Sequence, residues 1–306
     1  MTGLDVIAFP GAPNLPIFTA IEKGYFEAAG ASVKLATTPS SKYQIESLVD
    51  GSFQIAATAF DNVVAYQEGQ GAVELARRPD LFVLMGATRL ELSLVVAPGI
   101  EAFEDLRGRS LAVDALATGF AFVLYEMLAR AGLGKSDYAP VAVGATPQRW
   151  ESVKNGQHAA TLTIEPFTSV AIASGFRVLV SSGSILERYQ GGIFTASRSW
   201  AAVNGEALEA FIRGYLRGLA WTLDEANYAD GVDTLCRNMP AIKPGVVDAV
   251  MRKLLSAETG LTPGAELDIE GMQTVLDLRS SYARPPMPLT DPRRYLDLQY
   301  YERART

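Results

Sequence analysis

Short apolar runs alternate with amphipathic helical segments through the first two-thirds of the chain, and this alternation constrains the fold most strongly. Helical segments at 41–50, 61–69, 119–132 and 147–156 follow apolar runs through polar turns, and each ends at or next to a glycine, a common helix terminator. Such alternation predicts an α/β fold with a parallel sheet covered on both faces. The strand candidates are residues 4–9, 33–37, 53–58, 81–87, 92–97, 110–114, 141–143, 160–164, 177–180 and 193–196.

The pattern changes after about residue 204, where strand signals stop and apolar residues recur at helical spacing. A long amphipathic helix is predicted over 208–223, with two more around 247–255 and 272–276. The proline-rich tail from Arg284 is expected to be a loop that wraps back onto the body, with Leu289, Tyr295 and Leu298 as buried anchors. The sequence therefore predicts an α/β body with a helical C-terminal layer.

Composition excludes several classes of function. A chain of 306 residues with 48% hydrophobic residues buries a sizeable core in one or two domains. The net charge of −7 argues against a nucleic-acid partner, which requires a concentrated basic surface. No stretch approaches the ~20 apolar residues of a membrane span, so stable membrane insertion is not expected.

Single copies of cysteine and histidine limit the possible chemistry. Cys236 excludes an intramolecular disulfide and a cysteine-based metal cluster, and a buried, inert thiol is expected there. His158 excludes a multi-histidine metal site and a triad that uses another histidine, so a structural role is expected for it. We expect no metal and no cofactor.

Residues 17–30 follow the first strand and a Pro/Gly turn. Phe18 and Ile21 are expected to form one apolar face of a helix. Gly24 is expected to end that helix in a left-handed conformation, and Gly30 to turn the chain into the next strand.

The same segment resembles the first helix of solute-binding proteins, which ends in the pattern A-x-x-x-G-Y/F-F-x-x-x-G. With four other segments it resembles the type II periplasmic binding proteins of ABC importers, in the SsuA and NMT1/THI5-like family of alkanesulfonate, taurine and thiamine-precursor binders. Gln54 and His158 stand where that family commonly has aspartate. The matching segments are 17–30, 48–56, 103–113, 156–160 and 165–167.

The resemblance implies two α/β lobes with a hinge and a ligand cleft between them. Only residues 88–91 separate two strand candidates, too few for a covering helix, so the chain is expected to cross between lobes there. A second crossing is expected around 191–197. The first lobe would comprise residues 1–87 and 196–306 with the C-terminal helices, and the second lobe residues 88–195.

Ligands of open sheets lie beyond the carboxyl ends of strands, where helix N-termini offer free N–H groups. Four such turns are expected, at 10–14, 38–43, 59–62 and 117–120. Ordinary helix capping is the alternative for any single Ser or Thr there. In the family, opposed helix starts clamp an anionic or polar group when the lobes close.

Other side chains complete the candidate set. Glu165 ends a strand and, by the resemblance, contacts an amine or ring nitrogen; the alternative is a surface or hinge salt bridge. Arg89 would pair with a ligand carboxylate or with a nearby glutamate. Aromatic walls for the ligand are expected from four residues, although core packing is the alternative. The four are Phe9, Phe60, Phe120 and Trp150. The candidate ligand-binding residues are Phe9, Asn14, Ser40, Ser41, Phe60, Asp61, Arg89, Thr118, Gly119, Phe120, Glu165 and Gly192, and no catalytic residue is assigned.

The resemblance implies a monomeric solute-binding protein that delivers a sulfonate, aromatic or pyrimidine-like solute to the permease and ATPase of an ABC importer. The first residues lack a charged region followed by an apolar run. The expected location is periplasmic or lipid-anchored outside the cytoplasm, with the leader removed. The alternatives are a leaderless cytoplasmic metabolite sensor, or an enzyme of the decarboxylase or pyrimidine-precursor type on the same fold.

Overall fold

The computed structural model describes residues 1–75 and 77–306, whose strands form two five-stranded sheets. Every predicted strand is present, with ends that differ by at most two residues from the expected ones. The strands are β1 (Thr2–Ala8), β2 (Ala31–Thr37), β3 (Ile55–Ala59), β4 (Leu81–Thr88), β5 (Ser93–Val96), β6 (Ser110–Val113), β7 (Ala139–Ala142), β8 (Ala160–Thr163), β9 (Arg177–Ser181) and β10 (Gly192–Ser197).

Helices cover the sheets and form the C-terminal third of the chain. The four internal helices predicted from glycine-terminated segments are confirmed. The helices are α1 (Leu15–Glu22), α2 (Tyr25–Ala29), α3 (Ser41–Asp50), α4 (Phe60–Gln67), α5 (Gly119–Arg130), α6 (Thr146–Lys154), α7 (Phe167–Ala173), α8 (Arg198–Val203), α9 (Gly205–Leu223), α10 (Tyr228–Asn238), α11 (Pro244–Leu254), α12 (Ile269–Tyr282) and α13 (Gln299–Arg305).

Both sheets are mixed, which corrects the expectation of purely parallel sheets. The first sheet has the order β2-β1-β3-β10-β4 and the second β7-β6-β8-β5-β9. β10 and β5 run antiparallel to both of their neighbours. They are the strands by which the chain enters each sheet after leaving the other. Residues 89–92 connect β4 of the first sheet to β5, which lies antiparallel between β8 and β9 of the second sheet.

The segment 17–30 forms two short helices joined by a left-handed glycine. Gly24 has φ +67° between α1 and α2, which confirms its predicted role, and Gly30 has φ +101° before β2. Phe18 and Ile21, predicted to form one apolar face, are partly buried, and Ile21 packs against the core on that side of the protein. The buried side of α1 includes Ile17, since α1 packs against α9 of the C-terminal layer.

Two glycines set how closely α9 approaches the N-terminal helices. A Cβ on Gly218 would overlap the carbonyl oxygen of Pro16, and a Cβ on Gly214 would overlap the ring of Phe26. That ring stacks on Phe211 with centroids 5.3 Å apart. Small residues therefore hold the C-terminal layer against the first sheet's helices.

The tail differs from the expected loop because it ends in α13, which packs against α9. Leu289 and Tyr295 are buried as predicted, whereas Leu298 is only partly buried. Cys236 on α10 is half-buried rather than fully buried. His158 has the expected structural role, with Nδ1 lying 3.0 Å from Ser110 Oγ.

Gly218→Ala is expected to lower the free energy of unfolding by about 1–3 kcal/mol, because the added methyl overlaps backbone on α1. Gly245→Ala is the matched control. Gly245 also lies in a helix but has open space around its Cβ position, so alanine there should be neutral or stabilising by up to about 1 kcal/mol. Urea unfolding measures both variants, and a stabilising Gly218→Ala would contradict the described packing.

Candidate functional site

A cavity with an empty volume of about 840 Å³, including its open mouth, lies between the two sheets. The segments after β1, β3 and β4 and the start of β10 line one side. The segments after β6 and β8, with the first turns of α5 and α6, line the other. The carboxyl ends of the parallel strands meet here, as expected for a ligand site in open α/β sheets. The lining is mostly apolar, with a few hydroxyl, amide and charged groups.

Six of the residues proposed from the sequence line this cavity. Phe9 and Asn14 follow β1, and the Asn14 side-chain amide donates to the Phe9 carbonyl oxygen over 2.8 Å. Thr118, Gly119 and Phe120 open α5 from the opposite side. The sixth is the first residue of β10, Gly192.

Phe60 and Asp61 do not line the cavity, although they open α4 where a ligand was expected. Both are buried, and the Phe60 ring packs edge-on against Tyr295 with centroids 5.8 Å apart. The same turn instead presents Asn62, whose side-chain amide donates to Thr58 Oγ1 over 2.9 Å. The first turn of α4 therefore buries its first two side chains and offers the third to the cavity.

Ser40 and Ser41 also lie outside the cavity lining. Ser40 Oγ accepts the Tyr43 backbone N–H over 3.2 Å, the ordinary capping bond that was the alternative interpretation. The Ser41 backbone N–H donates to the carboxylate of Asp114, with oxygens at 3.2 and 3.3 Å. A donor expected to face a ligand is thus bonded to a side chain that follows β6.

Trp150, proposed as an aromatic wall, is buried beside the second sheet. Its ring packs edge-on against Phe176 with centroids 4.8 Å apart, away from the cavity lining. Arg89 lies in a separate pocket of about 410 Å³ near Arg188. Core packing therefore explains the position of Trp150, and Arg89 lies outside the lining of the main cavity.

Glu165 lines a smaller neighbouring pocket of about 350 Å³, together with Lys253. Burial raises the pKa of this carboxyl, an effect opposed by the N–H of Ser169 and the charge of Lys253. Its Oε2 accepts the Ser169 backbone N–H over 3.3 Å, and its Oε1 is buried with no partner among the described residues. Its backbone carbonyl accepts the Ala12 N–H over 2.9 Å, so this turn also joins the two sides of the cavity.

Arg149 and Asp114 are the charged residues that line the main cavity, and the sequence did not indicate either. Arg149 lies one turn into α6 and is 3% exposed. Its Nη2 donates to Thr146 Oγ1 over 2.8 Å, while Nε has no partner among the described residues. Burial lowers the pKa of Arg149 to about 10, an effect opposed by Asp114, so the guanidinium stays charged at neutral pH.

Helix α12 joins the two sides of the cavity through Arg279, which is fully buried. Its guanidinium donates to both carboxylate oxygens of Asp61 over 2.6 Å and to the Ala117 carbonyl oxygen over 3.1 Å. Gly119 must lack a side chain, because its Cβ would lie 2.5 Å from Asp61 Cβ. Arg279 therefore connects α4, through the ion pair with Asp61, to the turn before α5, through the hydrogen bond to Ala117.

Among the described residues, no group of His, Cys, Asp or Glu is arranged to hold a metal ion. No helix in the described ranges is long and apolar enough to span a membrane.

Residues 4–235 match the model of the NMT1-like family. A search of curated proteins finds no significant match. Among solved structures, a protein of Bordetella bronchiseptica RB50 has a TM-score of 0.79 at 22% identity, covering 99% of this chain and 97% of that one. The alkanesulfonate-binding protein SsuA of Xanthomonas axonopodis pv. citri, bound to MOPS, has a TM-score of 0.76 at 18% identity, covering 97% and 99%.

The desulfurization enzyme DSZB is also similar, with a TM-score of 0.65 at 13% identity and 99% coverage of both chains. These likenesses show that the chain has the type II periplasmic binding fold expected from the sequence, with two α/β sheets and a helical C-terminal layer. Both binding proteins and an enzyme occur on that fold.

Arg279→Met is expected to lower the free energy of unfolding by about 3–5 kcal/mol, because it leaves the buried Asp61 carboxylate without its counterion. The double variant Asp61→Leu/Arg279→Met should recover part of this loss, since neither charge remains. Lys154→Met, which breaks an exposed pair with Glu151, should cost less than about 1 kcal/mol. Equal losses for Arg279→Met and Lys154→Met in urea unfolding would contradict this assignment.

Glu165→Gln is expected to raise the melting temperature at pH 8 relative to the parent protein. A carboxyl with a raised pKa in the folded state stabilises the protein as the pH falls and destabilises it when ionised. The difference between variant and parent should therefore shrink as the pH falls toward 4.5, the ordinary pKa of this carboxyl. Glu151→Gln on the exposed side of α6 is the control, and a pH-independent difference for Glu165→Gln would refute the assignment.

Proposed function

The chain belongs to the NMT1-like family, and from this membership and the cavity we propose that it is a non-catalytic solute-binding protein that closes two lobes around a small organic molecule. The first lobe comprises residues 1–87 and 196–306 around the first sheet. The second lobe comprises residues 88–195, which include all five strands of the second sheet and, at the two ends of the range, the last residue of β4 and residues 192–195 of β10 from the first sheet. The cavity between the sheets carries the proposal, because both sheets contribute its lining.

The contacts across the mouth support closure as a reversible movement. The Ala145 N–H donates to the Pro39 carbonyl oxygen over 2.9 Å, and the Ser41 N–H donates to Asp114. These are hydrogen bonds at the rim of the cavity, and water can replace them when the lobes separate. Hinge closure of this kind removes a bound ligand from solvent.

The proposed partners are the permease and ATPase of an ABC importer, and the proposed location is outside the cytoplasm. A monomer suffices, because one chain supplies both walls of the cavity. The similar alkanesulfonate-binding protein is bound to MOPS, which supports a sulfonate among the proposed solutes. Aromatic and pyrimidine-like solutes are the other proposed classes, since the Phe9 and Phe120 side chains line the cavity.

An enzyme is the second candidate, and the similarity to a desulfurization enzyme favours it. The cavity lining supplies threonine hydroxyls, two asparagine amides, one carboxylate and one guanidinium. Cys236 lies on α10 and His158 is bonded to Ser110, both outside the lining. The groups that do line the cavity favour binding over covalent catalysis.

A thermal-shift screen of sulfonates, aromatic carboxylates, pyrimidines and other nitrogenous organic compounds tests the proposal. A compound that stabilises the protein should bind with one-to-one stoichiometry in calorimetry and be recovered chemically unchanged by mass spectrometry. Turnover of the compound would favour the enzyme.

Phe9→Ala and Phe120→Ala should each weaken binding of that compound by about fivefold or more, because each removes a wall of the cavity. Phe103→Ala is the control, since Phe103 is partly buried outside the cavity. Calorimetric affinities that are unchanged in both cavity variants would place the ligand elsewhere.

A further inference from the structure

We infer that the ligand is a small organic anion whose charged group binds the buried guanidinium of Arg149, with its apolar body against the walls around Phe9 and Phe120. This inference rests on the proposed binding function and names the class of molecule that the cavity takes. It also places the anion site at Arg149 of α6 rather than between the opposed helix starts expected from the sequence.

The buried guanidinium of Arg149 has fewer hydrogen-bond acceptors than donors. Its side chain is buried and lines the cavity, yet the guanidinium makes a single hydrogen bond, to Thr146, among the described residues. A guanidinium carries five N–H donors, and a buried charged donor without an acceptor is costly. An anionic oxygen at Nε would provide the missing acceptor in a charge-assisted hydrogen bond.

Asp114 is the negatively charged residue of the cavity lining. Its carboxylate lies at the N-terminus of α3, where both oxygens are within hydrogen-bond distance of the Ser41 N–H. That position favours negative charge because of the free N–H groups and the helix dipole. Since the chain's own carboxylate already occupies this position, a ligand anion is excluded from it by charge repulsion. Arg149 remains as the positive group of the cavity lining.

The rest of the lining describes the ligand's body. Apolar side chains line the cavity on both sides, with Phe9, Ile17 and Leu90 on the first side and Phe120 and Ile164 on the second. An apolar surface on both sides favours a hydrophobic or planar body over a polyhydroxylated one. Thr58, Thr88 and Asn62 add a small number of neutral polar groups. A monocarboxylate or monosulfonate with an aromatic or short aliphatic body matches this combination.

Six probes test the inference by calorimetry at low salt. Benzoate and benzenesulfonate are compared with neutral benzamide and cationic benzylamine, and hexanoate with hexanamide. At least one anion should bind about tenfold or more tightly than the corresponding neutral amide or benzylamine, because a charged hydrogen bond is stronger than a neutral one. The carboxylate and sulfonate probes distinguish the two types of anion.

Arg149→Met should weaken binding of the preferred anion by about tenfold or more, with amide affinity unchanged. Arg149→Lys, which keeps the charge, should retain part of the affinity. Lys154→Met is the matched control, because it removes an equal charge from the exposed side of the same helix and should leave every affinity unchanged. Asp114→Asn should strengthen anion binding, because it removes a repelling charge.

Equal binding of anions and amides, unaffected by Arg149→Met, would overturn the inference and leave the proposed binding function standing. Preference for benzylamine, together with loss of affinity in Asp114→Asn, would overturn it in favour of a cationic ligand. Failure of all six probes to bind at millimolar concentration would also overturn it. Thermal unfolding of Arg149→Met and Arg149→Lys verifies that each variant is folded before its affinity is interpreted.

Discussion

The buried ion pair between Arg279 and Asp61 is the interaction on which the geometry of the site depends. It joins α12 of the C-terminal layer to α4 of the first sheet, and the same guanidinium reaches the Ala117 carbonyl before α5. With its counterion and a carbonyl acceptor in place, the charge can remain buried in the interior. The pair directs Asp61 away from the cavity and places Gly119 against it, so that α4 and α5 begin on opposite sides of the same space.

The crossing segments, where the chain passes between the two sheets, have a constrained backbone. Leu90, between β4 and β5, has φ +64°, a conformation uncommon for a residue with a branched side chain. Gly191, before β10, passes so close to Leu90 that a Cβ there would lie 2.5 Å from the Leu90 Cβ. A small residue is therefore needed where the outgoing and returning strands pass each other. The backbone is therefore closely constrained where the chain leaves the first sheet and returns to it.

Much of the fold could be predicted from the sequence, because strand length, helical spacing and terminal glycines are local signals. Gly24 shows this best, since a single residue type indicated a left-handed position that the structure contains. The antiparallel entry of β5 and β10 escaped prediction because strand direction depends on where the partner strands lie. The fully buried side of α1 could not be predicted, because α9, nearly two hundred residues later, decides which side is buried.

The site was predicted in outline, and its charged residues were not. The rule that ligands lie beyond strand ends identified the turns that contain Asn14 and Thr118, because it depends only on strand direction. The same rule did not distinguish Asp61, held by Arg279 of a distant helix, from Asn62, which faces the cavity. Arg149 lies in a stretch that resembles the start of a surface helix, and only tertiary packing buries it.

Ligand binding is expected to bring the two lobes together, and a distance across the cavity mouth reports this movement. Spin labels at Tyr43→Cys on α3 and Gln148→Cys on α6, both exposed, report that distance in a Cys236→Ser background. With a saturating compound from the thermal-shift screen, double electron–electron resonance should give one short distance. That distance should be consistent with the hydrogen bond between the Ala145 N–H and the Pro39 carbonyl oxygen. Without the compound, a population at longer distances should be present. Identical distance distributions in the two conditions would contradict the account.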